Sequence, residues 1–243
     1  MKVVAIIQAR MGSTRLPGKI LKKVMSKTLL EYQLDRVKRA ELIDDIVVAT
    51  TVEQADNPIA ELCADLQINV FRGSEHDVLS RYYEAAVEHE ADVIVRLTSD
   101  CPLIDPIIVD QVIKLYLDYL IEIDYASNTL DRTYPRGLDT EVFSFAALKQ
   151  MHEQATLFRD REHVTSYLYT NPNIFSLKQL KNKVDLSAYR WTVDTLEDFQ
   201  LVELILQDIY LIKNDFGMLD IVALMAKNPE WAKINAQIEQ KKI

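Results

Sequence analysis

The sequence predicts an α/β fold: a single, doubly wound domain with a mostly parallel sheet and helices appended at its C-terminal end. Three observations predict it. The uninterrupted apolar run from Val3 to Ile7 suits a strand buried on both faces, as in a parallel sheet. Strand-like and helix-like segments then alternate through the first half, the pattern of right-handed βαβ units. The second half is less regular and closes in helical periodicity.

Taken in order, the first strand is followed by a loop and then by Thr28 to Ala40, where Leu30, Leu34 and Val37 share one helical face. Asp45 to Thr50 reads as the second strand, Pro58 to Leu66 as a helix, Asn69 to Phe71 as a short strand and Asp77 to His89 as the next helix. Asp92 to Leu97 is a strong strand, and the helix after Pro106 runs to about Leu120. Between Asp124 and Phe145 the pattern loosens into strand and turn. Asp160 to Tyr169 reads as helix and Trp191 to Asp194 as a last strand, which feeds a helix carrying Phe199, Val202, Ile205 and Ile209. From Asp215 onward two further amphipathic helices are expected. No internal repeat, low-complexity tract or linker divides the chain, so residues 1–243 read as one domain with 215–243 as its appended helices.

The 243 residues suffice for one large core, and 49% hydrophobic with 27% charged residues is an ordinary globular composition. A net charge of −9 and a pI near 5.0 repel polyanions, which argues against nucleic acid or an anionic membrane as partner. The opening stretch from Met1 to Arg10 is too short and too soon interrupted for a secretory signal or a membrane span. Cys63 and Cys101 have no metal-ligand spacing, so free thiols and a cytoplasmic location are expected. Against the acidic background Arg10, Arg15, Lys19, Lys22 and Lys23 gather positive charge suited to a small anion.

Ligands of open α/β sheets bind beyond the carboxyl ends of strands, which directs attention to the loop from Gln8 to Lys19. Only 5 residues of the chain are Gly, so each answers to a backbone need, and Gly12 and Gly18 flank this loop. Backbone N–H groups of such a turn, with Arg and Lys nearby, suit phosphate oxygens, although a basic surface loop that binds nothing explains the same letters. It is not a Walker A loop, because five residues separate Gly12 from Gly18 and Ile20 stands where Ser or Thr would ligate Mg²⁺. Nor do the glycines form GxGxxG.

The loop from Ile6 to Lys19 resembles the signature loop of the cytidylyltransferases that make CMP-activated sugar acids, above all the spore-coat polysaccharide biosynthesis subgroup. Phe71-Arg72-Gly73-Ser74, the stretch from Arg96 to Asp105, Arg161-Glu162-His163-Val164-Thr165 and Arg190-Trp191-Thr192-Val193-Asp194-Thr195 resemble the same subgroup in the same order. The likeness spans Met1 to Ile209 and fades beyond Phe216. It implies a Rossmann-like sheet of the nucleotide-diphospho-sugar transferase type and transfer of CMP from CTP to a sugar or sugar acid. It also implies that Ala9, Arg10, Gly12, Ser13 and Lys19 meet the nucleotide, with Arg10, Ser13 and Lys19 on the triphosphate. Arg72, Gly73 and Ser74 would approach the base, and Asp100 and Asp194 would hold Mg²⁺. Arg10, Lys19, Asp100 and His163 form the catalytic set of this reading, and the related enzymes imply a homodimer.

Displacement at an α-phosphate needs its developing charge neutralised and its nucleophile aligned, and Mg²⁺ takes one or two carboxylates with phosphate oxygens and water. Asp100 and Asp194, each at a strand end, suit that task; a turn or helix cap is the plainer explanation of either, and Thr195 would cap equally well. Arg161, Glu162 and His163 read either as a solvated helix face or as the acceptor site, where His163 can also polarise the attacking hydroxyl. Arg136 and Glu141 would clamp the acceptor, although a turn followed by a strand accounts for both. Two other functions compete. A nucleotide-sugar glycosyltransferase commonly needs an Asp-x-Asp motif, which is absent from this sequence. A non-catalytic nucleotide-binding subunit would not need both Asp100 and Asp194.

Overall fold

The apolar run at the start of the chain becomes β1 (Val3–Gln8), a central strand of a seven-stranded sheet in the computed structural model, which describes residues 1–239. Val3, Ala5 and Ile7 enter one core and Val4 and Ile6 the other, so the strand is apolar on both sides without alternation. A two-residue hairpin, β2 (Lys23–Val24) and β3 (Lys27–Thr28), leads into α1 (Leu29–Val37), whose N-terminus is closed by a capping box between Thr28 and Glu31. There follow β4 (Asp45–Thr51), α2 (Asn57–Asp65), β5 (Asn69–Gly73), α3 (Val78–Glu88), β6 (Val93–Thr98) and α4 (Pro106–Asp118). β1 pairs in parallel with both β4 and β6, and β5 extends the sheet beside β4.

The irregular half adds β7 (Tyr125–Ser127), β8 (Glu141–Ser144) and, after three helices, β9 (Leu177–Gln179). The sheet order is β5-β4-β1-β6-β8-β7-β9; β8 runs antiparallel to β6 and β7, and β9 is parallel to β7. The doubly wound, mostly parallel α/β sheet read from the sequence is therefore the fold observed. Helices α1, α2 and α4 cover one face; α3, with α5 (Phe145–Gln154) and α7 (Ser166–Thr170), covers the other.

Several elements depart from the sequence reading. α5 was not expected; it starts at the end of β8, where Ser144 Oγ accepts the Ala147 N–H at 2.9 Å. The single helix expected over Asp160–Tyr169 is two, α6 (Phe158–His163) and α7, broken at Val164. Trp191–Asp194 is no strand: Arg190 makes one isolated bridge to Arg136, and the segment instead lies against the loop after β6, with Val193 N–H donating to Asp100 C=O at 2.8 Å. After α8 (Leu196–Ile209), the tail holds one α-helix, α9 (Met218–Lys227), and a 3₁₀ turn at Pro229–Lys233. Pro229 disfavours helical geometry at Asn228, which stops α9. Residues 240–243 of the expected tail lie outside the described residues. Among the described residues no helix is long and apolar enough to cross a membrane.

The tail completes a third core. Phe216, Met218, Ile221, Leu224 and Met225 pack with Trp191, Val193 and the inner face of α8. Arg36 ties this tail to the sheet: its Nε donates to Ile104 C=O at 2.6 Å, its Nη2 to Phe216 C=O at 2.8 Å, and its guanidinium lies 4.0 Å from the Phe216 ring centroid. Burial pulls its pKa down to about 10. Phe216→Ala should therefore cost about 3–5 kcal/mol in denaturant unfolding, as for other buried aromatic truncations. A loss below about 1 kcal/mol would show the tail to be dispensable to the core.

Candidate active site

The loop after β1 is shaped by its own backbone. Met11 C=O accepts the Ser13 N–H at 2.9 Å and the Gly18 N–H at 3.1 Å, closing residues 11–18 into a compact turn. Gly18 has φ 66°, a left-handed conformation that costs glycine little, and it launches the 3₁₀ turn Lys19–Leu21. Met11 N–H in turn donates to Asp56 Oδ1 at 2.6 Å, fixing the loop to the residues after β4.

Lys19 leaves this loop and enters a gap between two other segments. Its Nζ lies 3.0 Å from Asp100 Oδ2 and 2.7 Å from Asp194 Oδ1. Burial opposes the ammonium charge, but Asp100 and Asp194 outweigh it and hold the Lys19 pKa above the ordinary lysine value. Burial likewise pushes Asp100 up, while Lys19 and the Thr98 hydroxyl outweigh it and hold its carboxyl below the usual range. The second oxygen of each carboxylate is tied elsewhere. Thr98 Oγ1 donates to Asp100 Oδ1 at 2.7 Å, and Arg15 and Arg190 reach Asp194 Oδ2 at 3.0 and 2.8 Å.

Neither aspartate is a helix cap. Thr195 caps α8, in a capping box with Asp198, and Asp105 caps α4. Asp198 is fully buried and accepts from Arg190 Nε at 2.9 Å, the Asp194 N–H at 3.0 Å and Asn235 Nδ2 at 2.8 Å, which fixes the turn that presents Asp194. Gly137, at φ 101°, lets the loop before β8 approach this turn; an added Cβ would stand 2.6 Å from Thr192 N.

These segments wall a cavity of about 570 Å³ beyond the carboxyl ends of β1 and β6. Ala9, Arg10, Gly12, Ser13, Lys19, Asp100, Arg136, Glu162, His163 and Asp194 line it, so ten of the residues singled out from the sequence converge. Arg15, Arg81, Arg96 and Asp139 line it as well. Six basic side chains thus face four acidic ones in a chain whose net charge is −9, which marks the cavity as a place for an anion. The legible signal for Arg96 is a cation inside an otherwise apolar strand.

Five predicted site residues lie off the cavity wall. Arg72 donates to the carbonyls of Thr51 and Glu53 at 2.8 and 2.9 Å. Gly73 packs against Phe71 and Arg81, while Ser74 C=O accepts from Arg81 at 2.8 Å. Arg161 joins α6 to the N-terminus of α3 by its ion pair with Asp77 and to α5 by donating to His152 C=O at 2.8 Å. Glu141 is buried, pairing with Arg96 and accepting from Tyr125 Oη and Thr165 Oγ1, each at 2.6 Å.

The Thr165 bond to Glu141 anchors a tight turn. Thr165 N–H donates to His163 C=O at 2.6 Å, with Val164 between them at φ 59° and ψ −67°. This is a γ-turn of the rare hand, strained for a β-branched residue, and it sets Glu162 and His163 at the cavity rim.

A model of the cytidylyltransferase family matches residues 4–214. The chain belongs to that family. This cytidylyltransferase is 41% identical, over 99% of its length and 97% of the relative's, to an uncharacterized protein of Methanocaldococcus jannaschii. It is 32% identical to the spore coat polysaccharide biosynthesis protein SpsF of Bacillus subtilis, over 95% of this chain and 96% of that one. A solved cytidylyltransferase from Leptospira borgpetersenii serovar Hardjo-bovis matches with a TM-score of 0.92 at 37% identity, covering 100% of this chain and 99% of the other. The family's chemistry is nucleotidyl transfer.

The burial of Glu141 makes a prediction about this cytidylyltransferase. Glu141→Gln leaves the Arg96 guanidinium largely buried without its counter-charge, and should cost about 3 kcal/mol or more in denaturant unfolding. A side chain that only contacts a substrate would leave the unfolding midpoint unmoved, and that result would overturn the structural role.

Proposed function

We propose that this chain, acting as one catalytic domain, transfers CMP from CTP to a hydroxyl of a sugar or sugar acid and releases pyrophosphate. The observation that carries this reading is the convergence of Asp100 Oδ2 and Asp194 Oδ1 on one cation, Lys19 Nζ, at 3.0 and 2.7 Å beneath the loop after β1. Family membership supports cytidine as the base. The likeness to SpsF supports a surface or spore-coat polysaccharide as the destination of the product. Two buried free thiols, Cys63 and Cys101, are consistent with a cytoplasmic setting.

The donor set fits Mg²⁺. Two carboxylate oxygens already share one cationic point, and a hard divalent ion completes its shell with phosphate oxygens and water. Asp100 and Asp194 would hold the ion, and it would neutralise charge developing at the α-phosphate. Everything else is positioning by the chain. Ala9, Gly12 and Ser13 offer the loop to the triphosphate, and Arg10 and Lys19 supply its counter-charge. Arg136, Glu162 and His163 wall the remaining space, where the acceptor hydroxyl is oriented, and His163 takes up or polarises its proton.

Pyrophosphate release from CTP and Mg²⁺ with a panel of sugars and sugar acids tests this reading. A glycosyltransferase would release no pyrophosphate from CTP but would release a nucleotide from an added nucleotide-sugar donor, and a binding subunit would turn over neither. Asp100→Asn and Asp194→Asn should each lower turnover about a hundredfold or more, since one metal contribution is worth several kcal/mol. The double variant should lose less than the product of the two, because both act on one ion. Full turnover in either single variant, or losses that multiply, would refute the shared site.

A further inference from the structure

We infer that Lys19 is a resident counter-ion: it fills the position between Asp100 and Asp194 until a triphosphate draws it away, so that the metal enters with the nucleotide and not ahead of it. The inference rests on the proposed metal role of the two aspartates and adds an order of events to it.

Each carboxylate has one oxygen held by the protein and one aimed at a common point. Thr98 holds Asp100 Oδ1, and Arg15 with Arg190 holds Asp194 Oδ2. The other pair, Asp100 Oδ2 and Asp194 Oδ1, meets Lys19 Nζ at 3.0 and 2.7 Å. Two largely buried carboxylates so close repel each other, so a cation between them is strongly favoured and the vacated point attracts another. An ammonium and a metal ion cannot both occupy it. Metal binding therefore displaces Lys19, and the displaced charge needs an anion.

The cavity supplies the place for that anion. Lys19 follows directly on Gly18, at the foot of the loop whose Arg10 and Ser13 line the same space. Its flexible four-carbon stem lets the ammonium turn from the carboxylates to a phosphate oxygen without displacing the backbone. The metal side is equally incomplete alone. Among the described residues no group of three or more His, Cys, Asp or Glu could hold an ion, so Asp100 and Asp194 leave most of an ion's shell to water and to phosphate oxygens, which bind it more tightly than water does. Triphosphate and metal thus each relieve the cost of admitting the other. By linkage, each raises the other's affinity by the same factor.

The test uses the full chain without nucleotide and Mn²⁺ alone as the probe, its binding followed by the loss of the free-ion paramagnetic resonance signal. Lys19→Met should bind Mn²⁺ about tenfold more tightly than the parent, a coupling of ordinary size. Lys19→Arg, which keeps a cation in place, should stay near the parent. Mn²⁺ should raise the Tm of Lys19→Met more than that of the parent. Lys19→Gln, which can still hydrogen-bond both carboxylates, replaces the Met variant if that protein melts below the assay temperature. Adding Asp100→Asn or Asp194→Asn to the neutral variant should abolish the gain. If the neutral variant binds Mn²⁺ no more tightly while the Asn changes still weaken binding, the exchange is wrong and the metal site stands. If the Asn changes leave Mn²⁺ binding untouched in every background, the metal site is wrong and the exchange goes with it.

Discussion

An ammonium placed between two carboxylates joins three stretches of chain that are far apart in sequence: Lys19 meets Asp100 across 81 residues and Asp194 across 175. Each partner arrives by a different route. Parallel pairing of β1 with β6 sets the loop that carries Lys19 beside the loop that carries Asp100. Asp194 comes from the segment before α8, outside the sheet, held against the Asp100 loop by the Val193 N–H bond to Asp100 C=O at 2.8 Å. Without a charge between them, the two carboxylates would repel each other at this approach. A cation at that point therefore stabilises the cavity, and the arginines on the outer oxygen of Asp194 limit how far it can turn.

The less regular half of the fold serves this arrangement. Asp198, Arg190 and Asn235 lock the turn before α8, and Asn235 draws its position from the C-terminal segment, where its Nδ2 also donates to Arg190 C=O at 3.0 Å. Phe216 and α9 cover the core on which Trp191 rests. On the far wall, Glu141 links Arg96 in β6 to Thr165, and Thr165 holds the strained turn at Val164. Packing energy from the tail and a buried charge network thus hold the two sides of the cavity in fixed relation. This preorganisation places charge before a substrate arrives.

The parallel half was legible because β1, β4 and β6 are apolar on both faces, α1, α3 and α4 carry clear side-chain caps, and Pro58 opens α2. Strands β7 and β9, three residues each, are too short to show a period, and α5 begins without an intervening turn. Trp191–Asp194 has the letters of a strand, yet its partners are loops, which local pattern cannot reveal. Within the cavity, motif likeness reached Lys19, Asp100 and Asp194. It did not distinguish residues facing the cavity from those packed behind it. Glu141 looks like a ligand from its charge but is spent on Arg96, and Gly73 answers to the closeness of Phe71 and Arg81. Arg81 gives no such signal, because a cation on a helix reads first as solvated.

The most direct measurement is a crystal structure of the protein with a non-hydrolysable CTP analogue and Mg²⁺. The account predicts one ion bound by both Asp100 and Asp194, with Lys19 Nζ moved from the carboxylates onto a phosphate oxygen. A complex in which Lys19 still bridges the two aspartates, with the ion held elsewhere, would contradict it.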